Sequence, residues 1–124
     1  MKERSDLSMH EMSLMQNLFE LTETYASQYR LKKVNRIVLR IGELAGVSHE
    51  ALRFAFEAIS SGSIADGAEF VIEPVPARSR CLKCGIEFPA QFTMQECPTC
   101  KEWTVPISGQ ELQLQTLEGD EEDE

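Results

Sequence analysis

The chain has 124 residues, 42% of them hydrophobic, which is enough for one ordinary domain with its own core. Its formal net charge of −9 argues against a nucleic acid partner, because the phosphate backbone repels an acidic protein. No run of about 18 apolar residues could span a bilayer. The basic residues Lys2 and Arg4 are not followed by the apolar segment of a secretory signal. We therefore expect a cytoplasmic protein without a membrane span.

The first predicted element is a helix over residues 9–29, preceded by an N-terminal extension of residues 1–8. Ser8 followed by Glu11 fits a capping box, with Ser8 as the N-cap. Apolar residues at helical spacing predict the buried stripe, which comprises Leu14, Leu18, Leu21 and Tyr25 and is widened by Met15, Phe19 and Ala26.

A strand over residues 36–41 is predicted next, since Ile37, Leu39 and Ile41 alternate with other side chains. Ser48 is the predicted N-cap of a second helix, and Gly62 is its predicted left-handed C-terminal cap. The stripe of this helix comprises Leu52, Ala55, Phe56 and Ile59.

Two more strands are predicted, over residues 69–75 and 111–117. The last strand cannot stand alone and needs the first two as partners. We therefore expect an α+β fold of two helices on a small three-stranded sheet, with a zinc-ribbon-like module inserted before the last strand. The expected division is an α+β domain of residues 9–76 and 109–118, a zinc-binding domain of residues 77–108 and a disordered acidic tail of residues 119–124.

The four cysteines form two CxxC pairs, Cys81 with Cys84 and Cys97 with Cys100. Thiols stay reduced in the cytoplasm, so the pairs indicate a metal site and not disulfides. Two knuckles of this kind place four thiolates in a tetrahedron, which favours zinc over a rubredoxin-like iron site or redox dithiols. Four cysteine ligands leave no position for water, so we expect a structural site. Gly85 suits a knuckle turn with positive φ.

Basic residues near the cysteines leave a nucleic-acid-binding regulator open as an alternative; they are Arg78, Arg80, Lys83 and Lys101. The net charge of the chain favours the simpler interpretation that they only solvate the module. The chain has two histidines, His10 and His49, each expected in the first turn of a helix. The simplest interpretation is that both are solvated. A helix N-terminus also favours the neutral imidazole that a metal requires.

Four segments together resemble the HypA/HybF family of hydrogenase maturation factors. They are residues 9–18, which begin Met-His-Glu, residues 41–47 (Ile-Gly-Glu-Leu-Ala-Gly-Val), residues 52–56 and the two CxxC pairs. The resemblance runs from Met9 to about Glu118. The Met-His-Glu start and the paired CxxC motifs are specific in combination.

The resemblance implies a nickel metallochaperone and not an enzyme. Its cargo would be Ni²⁺ for the large subunit of [NiFe]-hydrogenase, with the GTPase HypB as partner and urease maturation proteins as a further partner class. It implies a nickel site at Met9, His10 and Glu11. Structural Zn²⁺ would be held by the four cysteines, in a monomer or a dimer.

The sequence departs from the family pattern because eight residues precede Met9. With these residues present, Met9 offers nickel an amide and not a free amine; translation that starts at Met9 is the alternative and would leave the amine free. The cysteine pairs lack an adjacent histidine, so we do not expect zinc to exchange its ligands for histidine. His49 is a further candidate nickel ligand. The alternative to nickel delivery is a zinc-ribbon adaptor or a nucleic-acid-binding regulator.

Overall fold

The computed structural model describes residues 2–123, and the side chains of residues 11–123. Its elements are α1 (Lys2–Gln28), β1 (Leu31–Gly42), α2 (His49–Ser60), β2 (Glu69–Val75), β3 (Arg78–Cys81), β4 (Glu87–Pro89), β5 (Thr104–Ser108) and β6 (Leu112–Glu121). One sheet has the order β2-β1-β6 and a second has the order β4-β3-β5. The α+β class, the three-stranded sheet and the module inserted before the last strand are thus confirmed. The second sheet was not expected.

The chain divides into two units. The first holds the chain up to Leu39, Val47–Ile72 and the chain from Leu114, whereas the second holds Arg40–Gly46 and Glu73–Gln113. The second unit is larger than the expected zinc-binding domain of residues 77–108, because it also includes the turn after β1 and residues on both sides of the cysteine segment.

Helix α1 begins at Lys2, so the predicted N-cap at Ser8 is wrong: Ser8 lies inside the helix. No proline or glycine interrupts residues 2–10. The buried face comprises Glu11, Met15, Leu18, Phe19, Thr22 and Ala26. Leu21 and Tyr25, which were predicted to be buried, are 41% and 38% exposed. The pattern of hydrophobic residues alone predicted the wrong buried face of α1, because two polar residues, Glu11 and Thr22, lie on that face.

Helix α2 follows the predicted signals. Ser48 has φ −78° and ψ 119°, and its Oγ accepts a hydrogen bond from the Ala51 N–H at 3.1 Å. Gly62 has φ 77°, as a left-handed cap requires. The buried face comprises Leu52, Ala55, Phe56 and Ser60, with Ile59 only half-buried.

Aromatic rings hold the core of the first unit together. The Phe19 ring of α1 lies 5.9 Å from the Phe56 ring of α2, measured between centroids. Phe56 also stacks on Phe70 of β2 at 4.6 Å. Such pairs contribute about 0.5–1.5 kcal/mol each beyond the apolar area they bury.

Strand β1 is the central strand of the first sheet, and its predicted face of Ile37, Leu39 and Ile41 is buried. Arg36 pairs with Glu69 at 3.1 Å and Arg40 pairs with Glu73 at 3.2 Å, so pairing advances in the same direction along β1 and β2. The two strands are therefore parallel, and α2 lies in the crossover that such a pair requires.

Strand β6 runs antiparallel to β1: the Gly42 N–H donates to the Glu111 carbonyl at one end and the Glu122 N–H donates to the Arg30 carbonyl at the other. β6 reaches Glu121, so residues 119–121 of the tail that was expected to be disordered are part of a strand. Basic and amide side chains of β1, and of Arg30 directly before it, supply the partners of the tail. The pairs are Arg30 with Glu122 at 3.9 Å, Lys32 with Asp123 at 3.6 Å and Asn35 with Asp120 at 3.1 Å.

Across residues 2–123, no helix combines the length and the apolar character needed to cross a membrane.

Candidate metal centres

The four cysteine sulfurs converge on one point. The Sγ atoms of Cys81 and Cys100 are 3.3 Å apart, those of Cys84 and Cys97 are 3.6 Å apart, and all four lie within 4.8 Å of one another. A tetrahedral zinc ion with Zn–S bonds of about 2.3 Å separates its sulfurs by roughly 3.8 Å. The spacing and the all-thiolate donor set therefore fit zinc.

The two CxxC pairs have the same backbone geometry. The Gly85 N–H donates to the Cys81 carbonyl at 2.8 Å, and the Lys101 N–H donates to the Cys97 carbonyl at 3.0 Å. Both donors have positive φ, 80° at Gly85 and 67° at Lys101. The prediction for Gly85 is confirmed. Lys101 was missed, although its position directly after the second CxxC pair gave the signal.

The first cysteine of each pair is fully buried and accepts backbone hydrogen bonds at its sulfur. Cys81 Sγ accepts from the Cys84 N–H at 3.4 Å, and Cys97 Sγ accepts from the Cys100 N–H at 3.5 Å. The Cys84 N–H and the neighbouring thiol of Cys100 lower the pKa of Cys81 to about 6, against the opposing effect of burial. The Cys100 N–H is also the main cause that lowers the pKa of Cys97.

The second cysteine of each pair behaves in the opposite way. The Ile86 N–H lowers the pKa of Cys84, but burial and the adjacent thiols outweigh it and raise that pKa overall. The Glu102 N–H likewise favours the thiolate of Cys100. The contact with Cys81, together with burial, raises the pKa of Cys100 to about 12. Without metal, Cys81 and Cys97 favour the thiolate, whereas Cys84 and Cys100 keep their protons.

The second sheet positions the two knuckles. β3 ends at Cys81, whose partner in β5 is Thr104, four residues after Cys100 in the chain. Thr104 donates from both its N–H and its Oγ1 to the Gln95 carbonyl, at 3.1 and 2.7 Å. The pairing of β3 with β5 thus places Cys81, where the first knuckle begins, beside Thr104, where β5 begins after the second knuckle.

The Gly-Glu motif at the end of β1, Gly42 and Glu43, has a packing role in the second unit. A Cβ atom on Gly42 would overlap the backbone of Gly109, so glycine is required there. Glu43 Oε1 accepts a hydrogen bond from the Ala77 N–H at 2.8 Å, and the Leu44 N–H donates to the Gly109 carbonyl at 2.6 Å. The motif therefore joins the turn after β1 to the two ends of the cysteine segment.

The basic residues of the module are partly neutralised. Arg80 Nη2 lies 2.7 Å from Glu87 Oε2, and this hydrogen bond lowers the pKa of Glu87. A paired arginine offers less charge to a phosphate backbone, which favours the interpretation that these residues solvate the module.

The Met-His-Glu segment lies in α1. The side chains of Met9 and His10 are outside the described residues. Glu11 is only 2% exposed, and its Oε2 accepts a hydrogen bond from the Ser48 N–H at 2.8 Å. Glu11 therefore stabilises the start of α2 and does not form the predicted capping box with Ser8. His49, the first residue of α2, is exposed.

Residues 9–119 match the family model described as "Hydrogenase/urease nickel incorporation, metallochaperone, hypA". The hydrogenase maturation factor HypA of Geobacter sulfurreducens is 42% identical, over 89% of this chain and 98% of that protein. The protein of the same name from Desulfitobacterium hafniense is 40% identical, over 91% of this chain and 100% of its own length.

Solved structures agree with the sequence comparison. The solution structure of the Ni metallochaperone HypA from Helicobacter pylori superposes with a TM-score of 0.67 at 25% identity, over 90% of this chain and 98% of that chain. A second solution structure of a HypA protein superposes with a TM-score of 0.69 at 27% identity, over 92% of this chain and 98% of that chain. The chain belongs to the HypA family of hydrogenase and urease nickel-incorporation metallochaperones.

Proposed function

We propose that this protein is a nickel metallochaperone that helps deliver Ni²⁺ to the large subunit of [NiFe]-hydrogenase during maturation. The observation that carries the proposal is the family match over residues 9–119, which includes the Met-His-Glu segment and both CxxC pairs. The protein would act in the cytoplasm as a carrier and not as an enzyme. The GTPase HypB would be its partner, and urease maturation proteins would offer a second route for the cargo.

The proposed zinc ligands are Cys81, Cys84, Cys97 and Cys100. Their sulfurs lie at distances that a tetrahedral ion can bridge, and all four donors are thiols. A closed set of four thiolates stabilises the fold around it and leaves no open position for a substrate. Zinc would therefore have a structural role, while nickel would be the cargo.

The proposed nickel site lies at the segment Met9-His10-Glu11, with the His10 imidazole as its side-chain donor and His49 as a candidate second imidazole. In α1 the amides of residues 9–11 follow several helical residues, so each donates to the carbonyl four residues earlier. The His10 imidazole is the donor that a helical backbone leaves free. Backbone nitrogens could join the ion only after the first turns of α1 unwind.

The test is a Ni²⁺ titration by calorimetry on zinc-loaded protein, with the wild type, His10→Ala and His49→Ala in parallel. Nickel should bind near one ion per chain, and His10→Ala should abolish it. His49→Ala shows whether the second imidazole contributes. Equal binding by the wild type and His10→Ala would reject the site and favour the zinc-ribbon adaptor.

Delivery is tested separately from binding. Nickel-loaded protein is mixed with the purified nickel-free precursor of the hydrogenase large subunit, and nickel in the precursor is measured after separation. The wild type should transfer nickel faster than free Ni²⁺ at the same buffered concentration. Transfer no faster than from the buffer alone would contradict a chaperone role.

A further inference from the structure

Glu11 is a buried carboxylate in the middle of the proposed nickel motif. It is only 2% exposed, and its Oε2 accepts a hydrogen bond from the Ser48 N–H at 2.8 Å. Burial of a carboxylate is unfavourable unless a donor satisfies it. The backbone N–H at the start of α2 is such a donor, and the positive end of the helix adds a favourable field.

The sequence of α2 explains why this N–H needs an outside partner. Ser48 supplies half of a capping box, because its Oγ accepts from the Ala51 N–H at 3.1 Å. The other half would be a Glu or Gln at position 51 that reaches back to the N–H of the N-cap. That position holds alanine, which cannot accept a hydrogen bond. Glu11 supplies the missing acceptor from α1.

The contact also brings the two histidine positions of the chain together. His10 immediately precedes Glu11, and His49 immediately follows Ser48. The Glu11–Ser48 hydrogen bond therefore joins the two backbone segments that carry these histidines. If the Glu11 carboxylate turned toward a metal ion, the Ser48 N–H would lose its partner and the two segments would lose this link.

We propose that Glu11 is a positioning residue and not a nickel ligand: its carboxylate fastens the Met-His-Glu turn of α1 to the first residue of α2. This rests on the proposed nickel function, in which His10 provides the imidazole. Glu11 then acts on nickel only through the placement of the backbone beside His10 and His49.

Two pairs of variants test this. Glu11→Gln keeps an oxygen that can accept from the Ser48 N–H but removes the carboxylate, whereas Glu11→Ala removes both. Ser48→Pro removes the N–H donor at a φ of −78°, which proline can adopt. Ser48→Ala is its matched control, because it removes the Oγ cap and retains the N–H.

Nickel affinity is measured by calorimetry, and solvent exchange of the Ser48 amide is measured by NMR in all variants except Ser48→Pro. Glu11→Gln and Ser48→Ala should bind nickel nearly as the wild type does. Glu11→Ala and Ser48→Pro should each weaken nickel by about tenfold, the effect of one hydrogen bond to a charged group. The double variant Glu11→Ala/Ser48→Pro should bind nickel no more weakly than either single variant, because both substitutions remove the same hydrogen bond.

Loss of nickel in Glu11→Gln as complete as in His10→Ala, with the Ser48 amide still protected, would overturn the proposal and make the carboxylate a ligand. A nickel affinity of Ser48→Pro equal to that of the wild type would also overturn it. Should the wild-type chain bind no nickel, the nickel function fails. The Glu11–Ser48 bond is then judged by exchange alone, which should accelerate in Glu11→Ala and not in Glu11→Gln.

Discussion

Gly85 and Lys101 occupy the same position in the two cysteine knuckles, each directly after the second cysteine of its pair, with φ of 80° and 67°. Each donates its N–H to the carbonyl of the first cysteine. Glycine adopts this left-handed conformation freely, while a residue with a Cβ atom is strained by roughly 1–2 kcal/mol. The second knuckle therefore contains strain that the first avoids.

The two positions should respond in opposite directions to substitution. Gly85→Ala should lower the stability of the zinc-loaded protein by about 1 kcal/mol, whereas Lys101→Gly should leave it unchanged or raise it. Thermal unfolding and competition for zinc with a chromophoric chelator measure both effects. A loss of similar size in Lys101→Gly would show that the Lys101 side chain has another role.

Removal of one proposed zinc ligand should abolish tight zinc binding and leave the first unit folded. Cys97→Ala deletes a buried sulfur of the four-thiolate set, and structural zinc contributes on the order of 10–16 kcal/mol of binding free energy. The far-UV signal of α1 and α2 should persist, because the Phe19–Phe56 contact lies within the first unit. Thr99→Ala is the matched control in the same knuckle. One tight zinc per chain in Cys97→Ala would contradict the assignment.

Zinc uptake by the metal-free chain near neutral pH should release at least two protons. Cys84 and Cys100 have raised pKa values, that of Cys100 about 12, so both enter as thiols and must lose a proton. Cys81, with a pKa of about 6, is already mostly a thiolate. Calorimetry in buffers of different ionisation enthalpy gives the number released. Zinc affinity should rise with pH above neutrality; an affinity independent of pH would refute the asymmetry of the thiols.

The close contact between Gly42 and Gly109 should make Gly42 intolerant of any side chain. Gly42→Ala forces a methyl group into the Gly109 backbone and should destabilise the protein by about 3 kcal/mol or more. Gly46→Ala is the control: it meets no atom within 4 Å and carries only the strain of φ 72°, about 1 kcal/mol. Denaturant unfolding compares the two. Equal losses would mean that the space around Gly42 relaxes easily.

A form that starts at Met9 should bind nickel more tightly than the full chain. Residues 2–8 continue α1 and hold the amides of residues 9–11 in helical hydrogen bonds. Their release, at about 1 kcal/mol per bond, should raise affinity on the order of 10- to 100-fold. Calorimetry on both forms measures the change, and His10→Ala in the shorter form is the control. Identical affinities would show that the extension does not restrain the site.

Several features could be predicted because they depend on short spacings. The two CxxC pairs, the Ser48 cap and the alternating strand of Ile37, Leu39 and Ile41 each arise from residues within a few positions of one another. The helix stripe was harder to predict, since Leu21 and Tyr25 look like core residues until the partner of α1 is known.

The sequence by itself determined the α+β class, the knuckle cysteines and the resemblance that led to the family. Only the tertiary structure decided that Glu11 caps α2, that Gly42 packs on Gly109 and that the acidic end of the chain continues β6 beside Arg30 and Lys32. Each of these contacts joins residues more than 30 positions apart. Local propensity cannot specify such pairs, because their energy appears only when the packed helices and the strand pairings bring both partners together.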